Sequence, residues 1–217
     1  MVIIIGNQKG GAGKSTLTML LSNYLTMVKN NEITLLDMDY QKSIYQLYQK
    51  AKILENEEPY EVVDAELKYF PSIFSVLSQK KNKIILIDLP GKLDDNDLIP
   101  VFKGADLVIV PFTYDAMTYH STIIFCLVVR KINPKAKLVF IPMRIKASVK
   151  YETKQDVDRE FGKFGTITEP LPEKIDFSRV TTYHTPFSLF NSITPIFETF
   201  IKDYINPVLE GKEKNEQ

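Results

Sequence analysis

Cysteine and histidine are scarce in this chain. Its 217 residues include one cysteine, Cys126, and two histidines, His120 and His184. One cysteine excludes an internal disulfide framework and leaves no cysteine cluster for a zinc or iron–sulfur centre. Cys126 stands in an apolar run, residues 123–129, and is therefore expected to be buried rather than reactive. Neither histidine has the spacing of a metal ligand or of a catalytic triad.

Long hydrophobic runs and an excess of one charge are also lacking. The longest apolar runs have about seven residues, whereas a helix needs about 20 to span a bilayer. Basic and acidic residues number 27 each, and 44% of residues are hydrophobic, as in an ordinary folded protein. The first residues show neither a basic region nor a cleavage site of a secretory signal. We therefore expect a cytoplasmic globular protein.

Short β-branched runs alternate with longer helical stretches. This alternation predicts an α/β fold, a mostly parallel sheet with helices on both faces. We expect strands near residues 2–5, 33–37, 60–64, 84–88, 106–111, 137–142 and 166–169. We expect helices near residues 14–29, 43–54, 72–80, 95–103, 116–132, 151–163 and 189–205. Residues 1–209 are expected to form a single domain, followed by a charged, disordered tail at residues 210–217.

A glycine-rich segment, GNQKGGAGKST at residues 6–16, lies between the first predicted strand and the first predicted helix. Strand, glycine-rich turn and helix in this order are the setting of a phosphate-binding loop. Gly10, Gly11 and Gly13 are expected to take positive φ and to let the backbone approach an anion closely. Backbone amides and the amino end of the helix then hold the anion. The alternative, a glycine turn that binds nothing, fits this setting poorly.

Groups suited to a metal–phosphate site follow the glycines and two of the strands. Lys14 would reach the β- and γ-phosphates, and the Ser15 hydroxyl would ligate Mg²⁺. Asp37 and Asp39 end the second predicted strand, and Asp88 ends the fourth. Open α/β sheets bind ligands at this edge. A single such aspartate can be a turn or helix-capping residue, but beside this loop we interpret Asp39 and Asp88 as functional.

Residues 9–16, KGGAGKST, resemble the deviant P-loop, K-G-G-x-G-K-[ST]-T, of the MinD/ParA group of dimerising ATPases. Residues 37–43 are similar to switch I of ParA-type partition ATPases, although Tyr40 replaces the usual proline. Residues 88–91, DLPG, are similar to their switch II. The resemblance runs from residue 2 to about residue 142 and is weaker beyond. Because no extra N-terminal DNA-binding domain is seen, the chain resembles the short plasmid-type members.

The resemblance implies a P-loop NTPase-type fold and a slow, dimerisation-dependent ATPase that uses ATP and Mg²⁺. It implies that Ser15 binds Mg²⁺ while Asp37 and Asp88 support the ion through water. The second switch I aspartate, Asp39, would position or polarise the attacking water. The residues that bind the phosphates would be Lys9, Gly10, Gly11, Ala12, Gly13, Lys14, Ser15 and Thr16.

Lys9 occupies the place of the family's signature lysine, which reaches across a two-fold interface to the nucleotide of the other subunit. A cation that arrives only on dimerisation would stabilise transition-state charge, as an arginine finger does. The expected catalytic residues are therefore Lys9, Lys14 and Asp39. The alternative for Lys9 is a solvated loop lysine.

Adenine recognition is expected near the end of the sixth strand. Arg144 follows that strand where relatives place Asn or Arg near the base, and Pro170-Leu-Pro172 resembles the later proline-bearing loop that reads the purine edge. We therefore expect Arg144 to stack on adenine and Pro172 to lie beside it. The alternative for Arg144 is a surface arginine.

Charge is unevenly distributed along the chain. Residues 130–154 include eight basic residues and one acid, and residues 55–66 include six acids and no base. The resemblance implies an ATP-bound homodimer that binds DNA non-specifically, is nucleoid-associated, and is stimulated by a centromere-binding partner protein. The basic stretch could supply phosphate contacts or be a solvated face.

Three other functions remain open from the sequence. A MinD-like ATPase would dock on a membrane, but residues 207–217 have too little apolar surface for that, so no membrane partner is expected. A nucleotide-binding scaffold would bind ATP with negligible turnover. An ATP-dependent biosynthetic ligase, such as a dethiobiotin synthetase, shares the fold and the loop type but needs a substrate pocket that the sequence does not reveal.

Overall fold

One parallel sheet of seven strands lies in the part of the chain that the structure describes. The structure is a computed structural model and describes residues 1–53, 57–80 and 83–214. The strands are β1 (Val2–Ile5), β2 (Ile33–Asp37), β3 (Glu61–Asp64), β4 (Ile84–Asp88), β5 (Leu107–Phe112), β6 (Lys137–Pro142) and β7 (Thr166–Ile167). The order in the sheet is β3-β2-β4-β1-β5-β6-β7, and every neighbouring pair is parallel.

Eight α-helices follow or connect these strands within the described ranges. They are α1 (Lys14–Asn23), α2 (Ser43–Ile53), α3 (Phe70–Leu77), α4 (Leu98–Lys103), α5 (Ala116–Ile132), α6 (Lys154–Gly162), α7 (Phe190–Phe200) and α8 (Asn206–Lys214). The Asp115 carboxylate caps α5 by accepting a hydrogen bond from the Thr118 backbone N–H at 2.9 Å. None of the described helices is long and apolar enough to cross a membrane.

Each face of the sheet packs against its own helices, because alternate strand residues point to opposite faces. Ile3 and Ile5 belong to a core layer with α1, α2 and α7, whereas Val2 and Ile4 belong to a layer with α3 to α6. Strands β1, β2, β4 and β5 are buried along their whole length, which explains their apolar sequences. Cys126 is fully buried in the second layer, and burial raises the pKa of its thiol to about 12.

The architecture agrees closely with the sequence-based expectations. The fold class is confirmed, and the predicted strands coincide with β1 to β7 to within about two residues. β7 is the shortest because it is an edge strand that pairs with β6 at two positions only. Helix α8 is a difference: it runs across the predicted start of the tail at residue 210, since Val208 and Leu209 pack against the core. Residues 215–217 lie outside the described residues.

The carboxyl ends of the central strands meet at one edge of the sheet. Asp88, at the end of β4, is paired in register with Ile5 of β1 and with Asp37 of β2. From β1 the chain passes to one side to form β2 and β3, and it later returns to the other side to form β5, β6 and β7. Open α/β sheets bind ligands where the order reverses in this way. The fold therefore gathers the candidate residues at the edge where a ligand is expected.

Gly165 is expected to tolerate no side chain. A Cβ added there would lie 2.0 Å from the Leu138 carbonyl oxygen, which is backbone of β6 and cannot move alone. Gly165→Ala should therefore lower the free energy of unfolding by about 1–3 kcal/mol or more, measured by urea denaturation. Gly162→Ala is the matched control, because no atom lies within 4 Å of its Cβ position at the end of α6. Equal losses in both variants would contradict the steric explanation.

Candidate nucleotide-binding site

The loop between β1 and α1 holds two residues in the left-handed region, Gly11 with φ 73° and Gly13 with φ 92°. A residue with a Cβ would be strained at either position. Gly13 is also the N-cap of α1, so the loop ends directly at the amino end of that helix. The prediction of a positive φ at Gly10 is wrong. The space beside Gly10 is open, because no atom lies within 4 Å of the position that a Cβ would take there.

Lys14 is the first residue of α1 and is 93% buried, with a relative exposure of 7%. Its Nζ lies 3.7 Å from the position that a Cβ would take on Gly91. The ammonium group is therefore held between the glycine-rich loop and the segment that follows β4. This is where the γ-phosphate side of a nucleotide on the loop would be expected.

The carboxylate of Asp88 is fully buried and accepts hydrogen bonds from two hydroxyls of α1. The Ser15 Oγ donates to Oδ2 at 2.6 Å, and the Thr18 Oγ1 donates to Oδ1 at 3.1 Å. Ser15 and Thr18 lie one helical turn apart, on the face of α1 that points to β4. Both carboxylate oxygens therefore have fixed positions beside the amino end of the helix.

Asp37 and Asp88 form a pair of buried carboxylates at the ends of β2 and β4. Burial raises the pKa of Asp88 to about 7; the hydrogen bond from Ser15 opposes this rise, and the charge of Asp37 adds to it. Burial also raises the pKa of Asp37, against the hydrogen bond that it accepts from the Tyr45 backbone N–H at 2.9 Å. Both carboxyl groups have a raised pKa, so ionising them costs free energy. A bound cation would reduce that cost, because its charge offsets their mutual repulsion and their loss of solvation.

The donor set at this edge fits Mg²⁺ bound together with a nucleotide. Ser15, Asp37 and Asp88 offer oxygen atoms only, the type of ligand that Mg²⁺ prefers. Among the described residues no group of three His, Cys, Asp or Glu side chains could hold a metal by itself. Mg²⁺ in nucleotide sites usually takes one or two carboxylates and fills its shell with phosphate oxygens and water. The observed set is of that kind.

Lys9 lies on the other side of the same loop and is partly buried. Its backbone N–H donates to the Asn7 Oδ1 at 3.4 Å. The Asn7 amide in turn donates to the Pro111 carbonyl at 2.9 Å and to the Thr122 Oγ1 at 2.8 Å, which ties the loop to β5 and α5. Burial acts to raise the pKa of Asp115, but hydrogen bonds from neighbouring threonines, together with the charge of Lys9, lower it. The Lys9 charge therefore acts on Asp115, the residue that caps α5.

Asp39 follows β2 and is partly exposed. Its Oδ1 accepts from the Gln41 backbone N–H at 2.9 Å, and its own N–H donates to the Asp37 Oδ1 at 3.3 Å. Tyr40, at the place of the family's proline, is 60% exposed, and its hydroxyl donates to the Asp95 Oδ2 at 3.3 Å. The tyrosine thus connects the segment after β2 to the segment after β4, a contact that a proline could not make.

Lys42 holds the segment after β2 in place, and no sequence signal indicated it. It has a φ of 51°, unusual for a residue with a side chain. Its Nζ donates to the Asp37 carbonyl at 2.9 Å and to the Ala65 carbonyl at 2.7 Å, and it forms an ion pair with Asp64 at 2.8 Å. These contacts fasten the chain around Asp37 to the end of β3.

A cavity of about 550 Å³ opens beside the loop, next to the residues predicted to contact adenine. It is lined by Gly13, Thr16, Met143, Arg144, Pro172, Glu173, Lys174, Ile175, Phe177 and Ser178. Arg144 has a φ of 56°, so the chain turns sharply at the cavity wall. The Ile145 N–H donates to the Leu171 carbonyl at 3.0 Å, which joins the two loops that carry Arg144 and Pro172. The cavity has the size of a small-molecule site.

A family model for the CobQ/CobB/MinD/ParA nucleotide-binding domain matches residues 3–187. The chain belongs to this family. The match includes the glycine-rich loop, both buried carboxylates and the cavity, and it supports nucleotide binding at that edge of the sheet. A comparison with curated proteins gave no match.

Solved structures share the fold of this CobQ/CobB/MinD/ParA-family chain at low sequence identity. A protein of Borrelia burgdorferi B31 described as a plasmid partition protein, bound to AMPPNP, has a TM-score of 0.74 and 21% identity, covering 93% of this chain and 98% of its own. Apo McdA from Cyanothece has a TM-score of 0.71 and 15% identity, covering 91% and 96%. Cobyrinic acid a,c-diamide synthase from Mycobacterium smegmatis, with an ATP analogue and magnesium, has a TM-score of 0.62 and 15% identity, covering 84% and 91%.

The structure brings two groups of the predicted site residues of this family member together. The first group is the buried carboxylate pair, Asp37 and Asp88, with Lys14 and Ser15 beside it. Gly13, Thr16, Arg144 and Pro172 line the cavity. Lys9, Gly10, Gly11 and Ala12 lie in the loop before α1, and Asp39 follows β2; their roles stay predictions. Sequence reasoning missed Thr18, Lys42 and Phe177; only Thr18, four residues after Lys14 on the same helix face, had a periodicity that could have revealed it.

Asp88→Asn is expected to change how stability depends on pH without Mg²⁺. The pKa of Asp88 rises from 3.8 to about 7 on folding, so between these values the folded state holds a proton that the unfolded state has released. The stability of the native chain should therefore fall as the pH rises, by roughly 3 kcal/mol between pH 5 and pH 8. Urea denaturation in EDTA should show this loss in the native chain and in an Asp203→Asn control, and a smaller loss in Asp88→Asn, where the raised pKa of Asp37 remains. The same slope in all three would contradict the assignment.

Arg144→Ala is expected to weaken ATP binding about tenfold, because it removes the cation that is predicted to stack on the base. Binding of inorganic tripolyphosphate should not change, since that ligand has no adenine. Lys150→Ala, a change of an exposed cation in the same loop, is the control and should leave both affinities unchanged. Isothermal titration of each ligand measures the effects. An unchanged ATP affinity in Arg144→Ala would remove Arg144 from the adenine site.

Proposed function

We propose that this chain is an Mg²⁺-dependent ATPase switch that pairs with a second copy of itself around two ATP molecules. The ATP-bound pair binds DNA non-specifically and associates with the nucleoid. Hydrolysis, stimulated by a centromere-binding partner protein, separates the pair and releases the DNA, and this cycle drives the segregation of a plasmid or other DNA. The proposal is supported above all by the glycine-rich loop at the amino end of α1, which places the buried Lys14 and the Ser15–Asp88 hydrogen bond side by side.

Phosphate binding falls to the loop and to Lys14. The left-handed residues Gly11 and Gly13 turn the backbone so that consecutive amides can face an anion at the amino end of α1. The buried Lys14 ammonium contributes a positive charge in a site with little water, where it stabilises phosphate charge more than it would in solvent. Ser15, Asp37 and Asp88 hold Mg²⁺, which neutralises phosphate charge when bound.

Asp39 is suited to position the attacking water. It lies two residues after Asp37, and within the described part of the chain only its Oδ1 accepts a hydrogen bond, from the Gln41 N–H. Its position depends on Asp37, which accepts a hydrogen bond from the Asp39 N–H. The metal site and the water-positioning residue are therefore connected through one carboxylate, so nucleotide and Mg²⁺ binding can align both.

Lys9 supplies the charge that a single copy lacks. It approaches the triphosphate of a second copy, where it stabilises the charge of the transition state as an arginine finger does. Hydrolysis then depends on pairing, which is the property that makes the protein a switch. The likeness in fold to a protein solved with AMPPNP and to one solved with an ATP analogue and magnesium is consistent with these ligands.

Lys9→Ala is expected to lower the ATPase rate by about 10³-fold or more, since it removes the cation supplied by the second copy. Pairing in the presence of a non-hydrolysable ATP analogue should also be lost. Turnover is measured by phosphate release with and without DNA, and pairing by light scattering after gel filtration.

Lys202→Ala, a change of an exposed lysine after α7, is the control and should leave both properties intact. Turnover in Lys9→Ala equal to that of the native chain would reject the proposed pairing mechanism. Absence of magnesium-dependent turnover in the native chain, with and without DNA, would indicate a nucleotide-binding scaffold. Turnover by a single copy that needs a small-molecule substrate would indicate a ligase.

A further inference from the structure

The basic stretch at residues 130–154 does not form one surface. Strand β6 lies in the middle of this stretch and divides it into two halves. Because β6 has six residues and a strand rises roughly 3.3 Å per residue, the two halves are about 20 Å apart. Lys131, Lys135 and Lys137 lie at the amino edge of the sheet, opposite to the loop. The other half, from Arg144 to Lys154, lies at the carboxyl edge.

Two of the four cations of the carboxyl-edge half, Lys146 and Lys154, already form ion pairs. Arg144 lines the cavity. Lys146 forms an ion pair with Glu173 at 3.1 Å. Lys154 pairs with Asp158 at 2.5 Å and lies over the Tyr114 ring. This edge also carries Lys9, which the proposed pairing of two copies would cover. It is therefore poorly placed to bind a long polyanion.

The amino-edge half lies beside a further lysine, Lys103 at the end of α4. One side chain joins the two segments: the Asn133 Nδ2 donates to the carbonyls of Phe102 at 2.9 Å, Lys103 at 3.3 Å and Ala105 at 2.9 Å. The Asn133 Oδ1 accepts from the N–H groups of Lys135 and Ala136, both at 3.1 Å. We call the four lysines on these joined segments, Lys103, Lys131, Lys135 and Lys137, the basic corner.

The basic corner has exposed and uncompensated charge. All four lysines are exposed, and none forms an ion pair within residues 1–53, 57–80 and 83–214. Asp106 is the acid in these segments, and its Oδ2 accepts from the Val2 backbone N–H at 2.8 Å. Arg130, beside the corner, is engaged by the carbonyls of Pro134, Ala136 and Phe164. The lysines are thus mobile charges carried on a rigid base.

We propose that the basic corner is the surface that contacts the phosphate backbone of duplex DNA. The inference rests on the proposed DNA binding of the ATP-bound pair and adds its location. Flexible lysines on a rigid base suit contacts that do not read base sequence, because phosphates carry no sequence information. Since the corner lies at the edge opposite to the loop, DNA and a second copy of the chain can be bound at the same time.

The test is a variant with four substitutions, Lys103→Gln, Lys131→Gln, Lys135→Gln and Lys137→Gln. The matched control removes the same charge from other exposed lysines, with Lys50→Gln, Lys52→Gln, Lys68→Gln and Lys202→Gln. Affinity for a duplex of random sequence is measured with a non-hydrolysable ATP analogue at several salt concentrations. Pairing, basal ATPase activity and the thermal midpoint are measured on the same samples.

The corner variant is expected to bind DNA at least about tenfold more weakly than the control. Its salt dependence should fall by about one unit of slope for each lysine that contacts a phosphate. Pairing, basal turnover and thermal midpoint should match those of the control. Together these results would support the corner as the DNA surface.

DNA affinity equal to that of the control would overturn the inference while leaving the proposed function intact. Loss of thermal stability with unchanged DNA affinity would overturn the inference and would indicate that the lysines only stabilise the ends of helices. Loss of binding to anionic phospholipid vesicles, with DNA affinity unchanged, would assign the corner to lipid. No DNA binding by the native chain would reject both this inference and the DNA-binding part of the proposed function.

Discussion

The juxtaposition of Asp37 and Asp88 is the constraint on which the site depends. Two carboxyl groups without access to water, on adjacent parallel strands, are unfavourable in their ionised forms unless a cation joins them. Their surroundings reduce that penalty only in part: Ser15 and Thr18 donate to Asp88, and the start of α2 donates to Asp37. The register of β2 and β4 and the position of α1 therefore hold the two carboxyl groups in place, although their hydrogen bonds only partly offset the cost of burial.

The segments after β2 and β4 are coupled to that centre. Lys42 fastens the backbone at Asp37 to β3, and the Tyr40 hydroxyl reaches Asp95 on the other segment. A change in the charge at the carboxylate pair can therefore reach the segment after β2 through Lys42, and the segment after β4 through Tyr40. This arrangement suits a protein whose two states differ in the ligand held at one sheet edge.

Local patterns predicted most of the fold and half of the site. Uninterrupted apolar runs identified the buried strands, and the strand–loop–helix context identified Lys14, Ser15 and Asp88, because these features depend on neighbours in the sequence. The contacts of Lys42, the position of Phe177 and the division of the basic stretch could not be predicted, because they depend on which distant segments the sheet order brings together. At Gly10 the structure shows neither a positive φ nor a neighbour within 4 Å of the Cβ position, and the sequence could not distinguish this glycine from Gly11 and Gly13.

The position of Cys126 has a consequence for how two copies can associate. Its thiol has no exposed surface, and with a pKa of about 12 it stays protonated at physiological pH. As this is the chain's one cysteine, oxidants have no accessible sulfur with which to link two folded copies covalently. The proposed pairing of two copies would therefore rest on non-covalent contacts, which can form and separate repeatedly.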